Sequence, residues 1–290
     1  MTVNTYLKHS LNLLISYGIP TPRLDSLILI EFVLGVDRAK LLAEPDLEIS
    51  VGHINVLDSL IDKRCQHIPI AQLVGKTEFY GRNFIINSSV LEPRPESETM
   101  IDMLIELVKT DKYLSHQYLS SKASNQDQTI NIADIGCGSG ALGISAKLEL
   151  GNVIVDLIDI DIKALIVAKN NVALHTIDIS VIQNDLLVGL DAKYDILMCN
   201  LPYVPDDFKI NLAASHEPEI AIFGGPDGLD IYRRLFDSLH KIHHQPLFIL
   251  SEVLPTSHSE LEKIAGRSNY VLSKTDDFIQ LFKYSESTNI

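Results

Sequence analysis

Asn200-Leu201-Pro202-Tyr203 carries two hydrogen-bond acceptors side by side, the Asn200 side-chain oxygen and the Leu201 backbone carbonyl. Such a pair can hold both hydrogens of a planar –NH2 group. Pro202 stiffens the turn, and Tyr203 offers a flat face for stacking. Upstream, Asp134-Ile-Gly136-Cys137-Gly138-Ser139-Gly140 is a glycine-rich turn in which the backbone can come close to a ligand. A turn that can hold a nucleotide-like cofactor and a turn that can hold an amide or amino group are together the equipment for methylating a nitrogen.

Both turns need strands to hold them. The apolar run Tyr194–Cys199 reads as a buried strand leading into Asn200. Ile130–Ile135 is a strand, and Ala141–Leu150 a helix, so the glycines sit where a strand enters a helix N-terminus. Spacing alone does not separate a dinucleotide site from an S-adenosylmethionine site. The third glycine, however, follows at two residues, where phosphate-binding turns usually keep G-x-x-G. Asp159 ends the next strand, Val153–Ile158, and can take both hydroxyls of a ribose, with Asp161 as competitor. Asn184-Asp185-Leu186 follows the strand Ser180–Gln183. Asp185 can accept from an adenine amino group while Leu186 packs on the ring. These positions fall at consecutive strand ends, where ligands sit in open α/β sheets.

From Glu96 onward helical runs alternate with strands, which predicts a mostly parallel sheet with helices on both faces. Residues 1–70 read instead as a small helical module: Tyr6–Tyr17, a helix opened by Pro22 and closed by Gly35, Asp37–Leu42 and Val51–Cys65. Thr77–Tyr80 and Phe84–Ile86 flank Gly81-Arg82-Asn83 as a hairpin, and Pro93-Arg94-Pro95 is stiff and extended. Residues 71–95 are therefore expected to link a helical domain, 1–70, to a catalytic domain, 96–290. Residues 109–128 are polar and predict a surface loop.

Composition narrows the partners. Against 38 acidic residues stand 24 Lys and Arg, a net charge of −14, which points away from nucleic acid and towards a protein or small-molecule substrate. Hydrophobic content of 46% suffices for a packed core. No apolar run reaches the roughly 18 residues of a membrane span, and no secretory leader pattern opens the chain. With three scattered cysteines, Cys65, Cys137 and Cys199, a reducing cytoplasmic location is expected. Cys137 and Cys199 read as small buried residues. His240, His243 and His244 form H-x-x-H-H without a partner of metal-site spacing, so no metal is expected.

Further motifs surround these. They include Pro22-Arg-Leu-Asp25-Ser-Leu-Ile-Leu, Ile68-Pro-Ile-Ala-Gln-Leu73 with Gly75 and Glu78-Phe-Tyr80, and Leu91-Glu-Pro93-Arg94-Pro95-Glu-Ser97-Glu98. Later come Glu217-Pro218 with Ala221, Gly224-Gly225-Pro-Asp-Gly228-Leu229, and Tyr232-Arg233. In all of these the chain resembles the release-factor glutamine methyltransferase family, PrmC/HemK. The resemblance implies a Rossmann-like class I S-adenosylmethionine-dependent methyltransferase domain with a small N-terminal helical bundle and a β-hairpin linker. It implies S-adenosylmethionine as methyl donor and the glutamine of the Gly-Gly-Gln motif of peptide-chain release factors as substrate. The helical domain would help dock that partner, and a monomer acting without nucleic acid or membrane is expected. By the same resemblance the cofactor residues fall on Asp134, Gly136, Cys137, Gly138, Ser139, Gly140, Asp159, Asp185, Leu186 and Asn200. The substrate residues fall on Asn200, Leu201, Pro202 and Tyr203, with Asn200, Pro202 and Tyr203 as the catalytic set. Two positions depart from the family pattern: Leu201 stands where a first proline is usual, and Glu252-Val-Leu-Pro255 replaces Glu-x-Gly. Asn-Leu-Pro-Tyr also resembles the motif of ribosomal-RNA adenine dimethyltransferases, which makes a nucleic-acid adenine methyltransferase the rival reading.

Overall fold

A computed structural model of the chain describes residues 1–122, 129–190 and 193–285. It divides into two compact units, one of Met1–Lys76 with Ile210–His216, the other of Thr77–Lys209 with Glu217–Ile290.

The first unit is built from five helices: α1 (Val3–Ser16), α2 (Pro22–Leu34), α3 (Arg38–Ala43), α4 (Val51–Cys65) and α5 (Ile70–Val74). Their ends follow local chemistry. Thr2, Asp37 and Ser50 cap α1, α3 and α4 through side-chain oxygens that accept backbone N–H groups. Pro22 opens α2, and Gly35 closes it in the left-handed conformation. The Thr2 cap starts α1 ahead of the expected Tyr6. Helix α5 is too short for its periodicity to register in the sequence. Tyr6, Leu14, Leu29, Ile30, Leu57 and Ile61 form the core. Within it lies a buried ion pair, with Arg64 Nε 2.7 Å from Asp25 Oδ2. Thr21 Oγ1 donates to the other Asp25 oxygen, and an Arg64 guanidinium N–H donates to the Ile68 carbonyl. The Pro-Arg-Leu-Asp and Ile-Pro-Ile-Ala segments of the sequence therefore meet at one structural lock. Ile210–His216 belongs to this unit through His216, whose Nε2 bonds the Gln66 carbonyl at 2.8 Å and whose own carbonyl accepts from Gln72.

The second unit begins with the hairpin β1 (Lys76–Phe79) and β2 (Arg82–Ile85). Its turn is the two-residue Tyr80-Gly81, both at positive φ, and not the three-residue Gly81-Arg82-Asn83 expected. Phe79 and Phe84 are buried in the unit's core, and Asn171 receives the Ile85 N–H and donates to the Ile85 carbonyl. Then come α6 (Glu98–Thr110), α7 (Lys112–Lys122), β3 (Ile130–Ile135), α8 (Ala141–Leu150), β4 (Val153–Asp159), α9 (Ile162–His175), β5 (Ser180–Gln183) and β6 (Ile196–Cys199). The chain ends with α10 (Asp230–Leu239), β7 (Phe248–Glu252), α11 (His258–Arg267), β8 (Tyr270–Asp276) and β9 (Ile279–Tyr284). Helix α7 corrects the expected loop over 109–128. Its polar surface hides Leu114 and Tyr118, which are buried against the core, while residues 123–128 lie outside the described residues.

The seven strands of the main sheet run in the order β5-β4-β3-β6-β7-β9-β8. β5 through β7 are parallel, and β9 runs antiparallel to both its neighbours. Met100 and Leu104 of α6, Ile144 of α8 and Leu165 of α9 cover one face, while Leu235 and Phe236 of α10 with Leu261 and Ile264 of α11 cover the other. The chain steps outward from β3 through β4 to β5, then returns to place β6 on the other side of β3. That reversal opens a crevice at the carboxyl ends of β3, β4 and β6.

Candidate active site

The crevice is a cavity lined by Gly136–Ser139, Asp159–Asp161, Asn184–Leu186 and Asn200–Pro202. Further wall comes from Phe79, Val90, Leu91, Pro93, Ser97, Pro218, Ile231 and Arg234. Four strand ends, those of β3, β4, β5 and β6, are thus brought together, and two of them carry the turns read from the sequence.

Gly136, Gly138 and Gly140 all take positive φ. A Cβ on Gly136 would come within 2.9 Å of the Leu201 side chain, so the two turns pack directly on one another. Four N–H donors of the glycine turn are already engaged. Gly136 and Cys137 N–H both reach the Ile158 carbonyl, Gly140 N–H reaches the Cys137 carbonyl, and Gly138 N–H donates to Asp159 Oδ2 at 2.9 Å. A pyrophosphate would need those N–H groups and would face Asp159, Asp161 and Asp185. A cationic sulfonium nucleoside needs neither and is favoured by the carboxylates. The residues present therefore fit S-adenosylmethionine and not a dinucleotide, the alternative that spacing left open.

Asp159 is fixed at both oxygens, since Asp161 N–H donates to Oδ1. Burial raises its carboxyl above the ordinary carboxylate range, and the two backbone donors oppose the rise. Asp161 acts as the side-chain cap of α9. Asn184 receives no ligand role here: its Nδ2 donates to the Leu186 and Val188 carbonyls and holds Leu186 at positive φ against the cavity. Asp185 is paired with Arg234 at 2.5 Å, a partner that nothing in the sequence pattern had indicated. Asp134 lies beneath the turn, outside the cavity lining, and accepts the Gly143 N–H at 2.8 Å. Full burial pushes its carboxyl up to about 7. Gly140 likewise lies behind the lining, against Leu157 and Ile144.

Asn200 donates its Nδ2 to Ser97 Oγ at 3.0 Å, which leaves Oδ1 as the free end of the carboxamide. Among the described residues neither Asn200 Oδ1 nor the Leu201 carbonyl receives a hydrogen bond. Leu201, unlike a proline, keeps an N–H, which points to the Tyr232 hydroxyl at 3.4 Å. That hydroxyl lies within hydrogen-bond reach of the Cys199 and Glu252 carbonyls, so it ties the ends of β6 and β7 to the turn. Pro202 lines the cavity; Tyr203 does not, and its hydroxyl donates to Glu252 Oε1 at 3.0 Å. Burial, then Glu252, push the Tyr203 phenol well above its ordinary value.

The late glycine motif is the back of this turn. Gly224 N–H donates to the Val204 carbonyl, and a Cβ at Gly228 would sit 2.2 Å from the Tyr203 carbonyl oxygen. The Pro-Arg-Pro segment is tied in by Glu217, which pairs with Arg94 and accepts the Glu92 N–H. Asn171 also donates to the Ser139 carbonyl, joining the hairpin to the glycine turn.

Burial pushes the Cys137 and Cys199 thiols well up, which leaves them poor nucleophiles. His240 Nε2 bonds Ser268 Oγ. Among the described residues no group of three or more His, Cys, Asp or Glu is placed to hold a metal ion.

Residues 5–75 match the PrmC N-terminal domain family, and residues 115–217 match the family described as Methyltransferase small domain. A release factor glutamine methyltransferase of Bacillus cereus is 33% identical over 227 residues, covering 76% of this chain and 76% of that protein. The chain belongs to the release factor glutamine methyltransferase family. A bifunctional methyltransferase of Rickettsia typhi is 34% identical over 223 residues, 74% of this chain but 43% of that protein. The chain spans about half the length or less of such bifunctional relatives. Among solved structures, the hMettl16 catalytic domain aligns with a TM-score of 0.52 at 15% identity, over 88% of this chain and 94% of that one. That likeness shows the class I methyltransferase fold. No described helix is long and apolar enough to cross a membrane.

Proposed function

We propose that this chain transfers a methyl group from S-adenosylmethionine to the side-chain nitrogen of the glutamine in the Gly-Gly-Gln motif of peptide-chain release factors. The observation that supports it most is the pair of free acceptors, Asn200 Oδ1 and the Leu201 carbonyl, opening into the cavity that Asp159 and the glycine turn line. The family relationship supports the same reading over an adenine methyltransferase, as does the net charge of −14.

In this reading Asp159 holds the ribose hydroxyls. Leu186 packs on the adenine, and Asp185 receives its amino group after partial release from Arg234. S-adenosylmethionine supplies an electrophilic methyl group on a sulfonium: the S–CH3 bond breaks, S-adenosylhomocysteine leaves, and the methylated amide nitrogen gives up one hydrogen as a proton to solvent. Asn200 Oδ1 and the Leu201 carbonyl each take one hydrogen of the glutamine –NH2. An amide nitrogen is a poor nucleophile because its lone pair is delocalised. Holding both hydrogens aims that nitrogen at one point, and orientation of this kind is worth roughly 7–11 kcal/mol in ideal cases. Pro202, the Gly224–Gly228 backing and the Tyr203 hydroxyl bonded to Glu252 keep the turn from yielding. The PrmC-type helical unit contributes to docking of the release factor. The enzyme acts as a cytoplasmic monomer.

Incubation of the purified chain with the methyl donor and a release factor, followed by intact-mass and peptide analysis, tests this. One added methyl on the Gly-Gly-Gln peptide is expected. Transfer to ribosomal RNA with none to the release factor would overturn the proposal.

A further inference from the structure

We infer that Glu252 is a positioning residue whose buried carboxyl group sets which way the Asn200 carboxamide faces. The inference rests on the role proposed above for Asn200. β6 and β7 are parallel, with Cys199 opposite Ser251, so Asn200 and Glu252 follow side by side at the two strand ends. Both lie beside the entry to α6, where Ser97 sits buried. Glu252 is 1% exposed, yet among the described residues no cation pairs with it. Its Oε1 takes the Tyr203 hydroxyl, and among the described residues its Oε2 is buried with no hydrogen-bond partner, an acceptor facing the polar cluster.

The polarity of this cluster is what matters. A carboxamide has two ends of nearly equal shape. Only one orientation places an acceptor in the cavity; the other presents N–H groups to a substrate –NH2 and repels it. Ser97 cannot choose between them, because a hydroxyl donates or accepts equally well. An ionised carboxylate only accepts. Glu252 therefore draws the Ser97 hydroxyl hydrogen towards itself, which leaves the Ser97 lone pairs to accept from Asn200 Nδ2, the bond observed at 3.0 Å. Asn200 Oδ1 is left facing the substrate. Burial and the neighbouring Glu96 raise the Glu252 carboxyl, while the nearby polar side chains of Ser97, Tyr203 and Asn200 lower it. Arg94 acts on Tyr203, and the Tyr232 hydroxyl lies on the Glu252 backbone carbonyl. Tyr203 and Asn200, the two polar side chains of the substrate turn, are thus referred to one buried carboxyl group.

The variants Glu252→Gln, Glu252→Asp and Ser97→Ala test it in the full chain. Glutamine keeps the shape but adds donors, so Ser97 can reverse and Asn200 can turn over. Glu252→Gln is expected to lower kcat roughly 100-fold while the dissociation constant for S-adenosylmethionine stays within about twofold. Aspartate keeps the acceptor and should recover part of the loss. Ser97→Ala should also lower kcat, and the double variant should be no worse than either alone. A second readout needs no turnover: in Glu252→Gln the Asn200 side-chain amide hydrogens should shift in NMR spectra and exchange faster than in the wild type. Equal kcat and unchanged Asn200 resonances in Glu252→Gln would overturn the inference. A wild-type enzyme that leaves release-factor glutamine unmodified would instead sink the proposed function, and the Asn200 resonances would still decide the role of Glu252.

Discussion

At the scale of single residues, the proposed reaction divides the site into groups assigned to grip the donor and groups assigned to aim the acceptor. Asn200→Ala removes one of two acceptors and leaves the glycine turn alone. Turnover should fall roughly 100-fold or more with donor affinity nearly intact, as steady-state kinetics beside equilibrium binding would show. Asp159→Ala should do the reverse and weaken donor binding by about 1.5–3 kcal/mol, read by titration calorimetry. Asp134 has a different signature. Its folded-state carboxyl is raised to about 7, so its contribution to stability is full below the ordinary aspartate value and is lost as pH rises through 7. Asp134→Asn should therefore melt progressively closer to, and then above, the wild type as pH climbs from about 4 to 7, by up to about 4 kcal/mol. Melting curves across that window check the sign. Much of this was legible beforehand because strand ends carry ligands. Asn200, Asp159 and Asp185 could be placed by counting strands. Ser97, Glu252 and Tyr232 could not, because their work depends on which strands become neighbours, and β6 lies beside both β3 and β7 only through the chain reversal.

At the scale of elements, two motifs that looked like family punctuation prove to be mechanical. Asp25 exists for Arg64, one helix away in space and far along the chain. Asp25→Ala would leave a buried guanidinium unpaired, and the first unit should lose about 3–5 kcal/mol in denaturant titrations. Gly228 backs the substrate turn at positive φ with no room for a side chain. Gly228→Ala must move the Tyr203 carbonyl, so kcat should fall at least tenfold with the sheet intact by circular dichroism, since misplacement of about 1 Å can cost roughly 100-fold. Helix α7 shows where periodicity runs out. Its polar residues outnumber the two that anchor it, Leu114 and Tyr118, and such a segment reads as loop until its neighbours are known. A tyrosine is a poor candidate for positive φ, which puts the expected hairpin turn one residue late; Tyr80 adopts that conformation with its N–H donating to Glu98.

At the scale of the molecule, each unit has its own core, and the donor site belongs wholly to the second. Mass action then predicts that S-adenosylmethionine at about 100 times its dissociation constant adds roughly 2.7 kcal/mol to the stability of that unit. Thermal unfolding with and without donor should show the rise, and Asp159→Ala should abolish most of it at the same concentration. The division itself has an awkward property for anyone wishing to cut the gene in two. Ile210–His216 lies in sequence deep within the half that carries Asn200, yet it folds as part of the half that begins at Met1. A truncation after Lys76 would strand that heptad without its hosts Gln66 and Gln72. Any attempt to express the halves separately should therefore transplant the segment or tolerate a ragged end on both products.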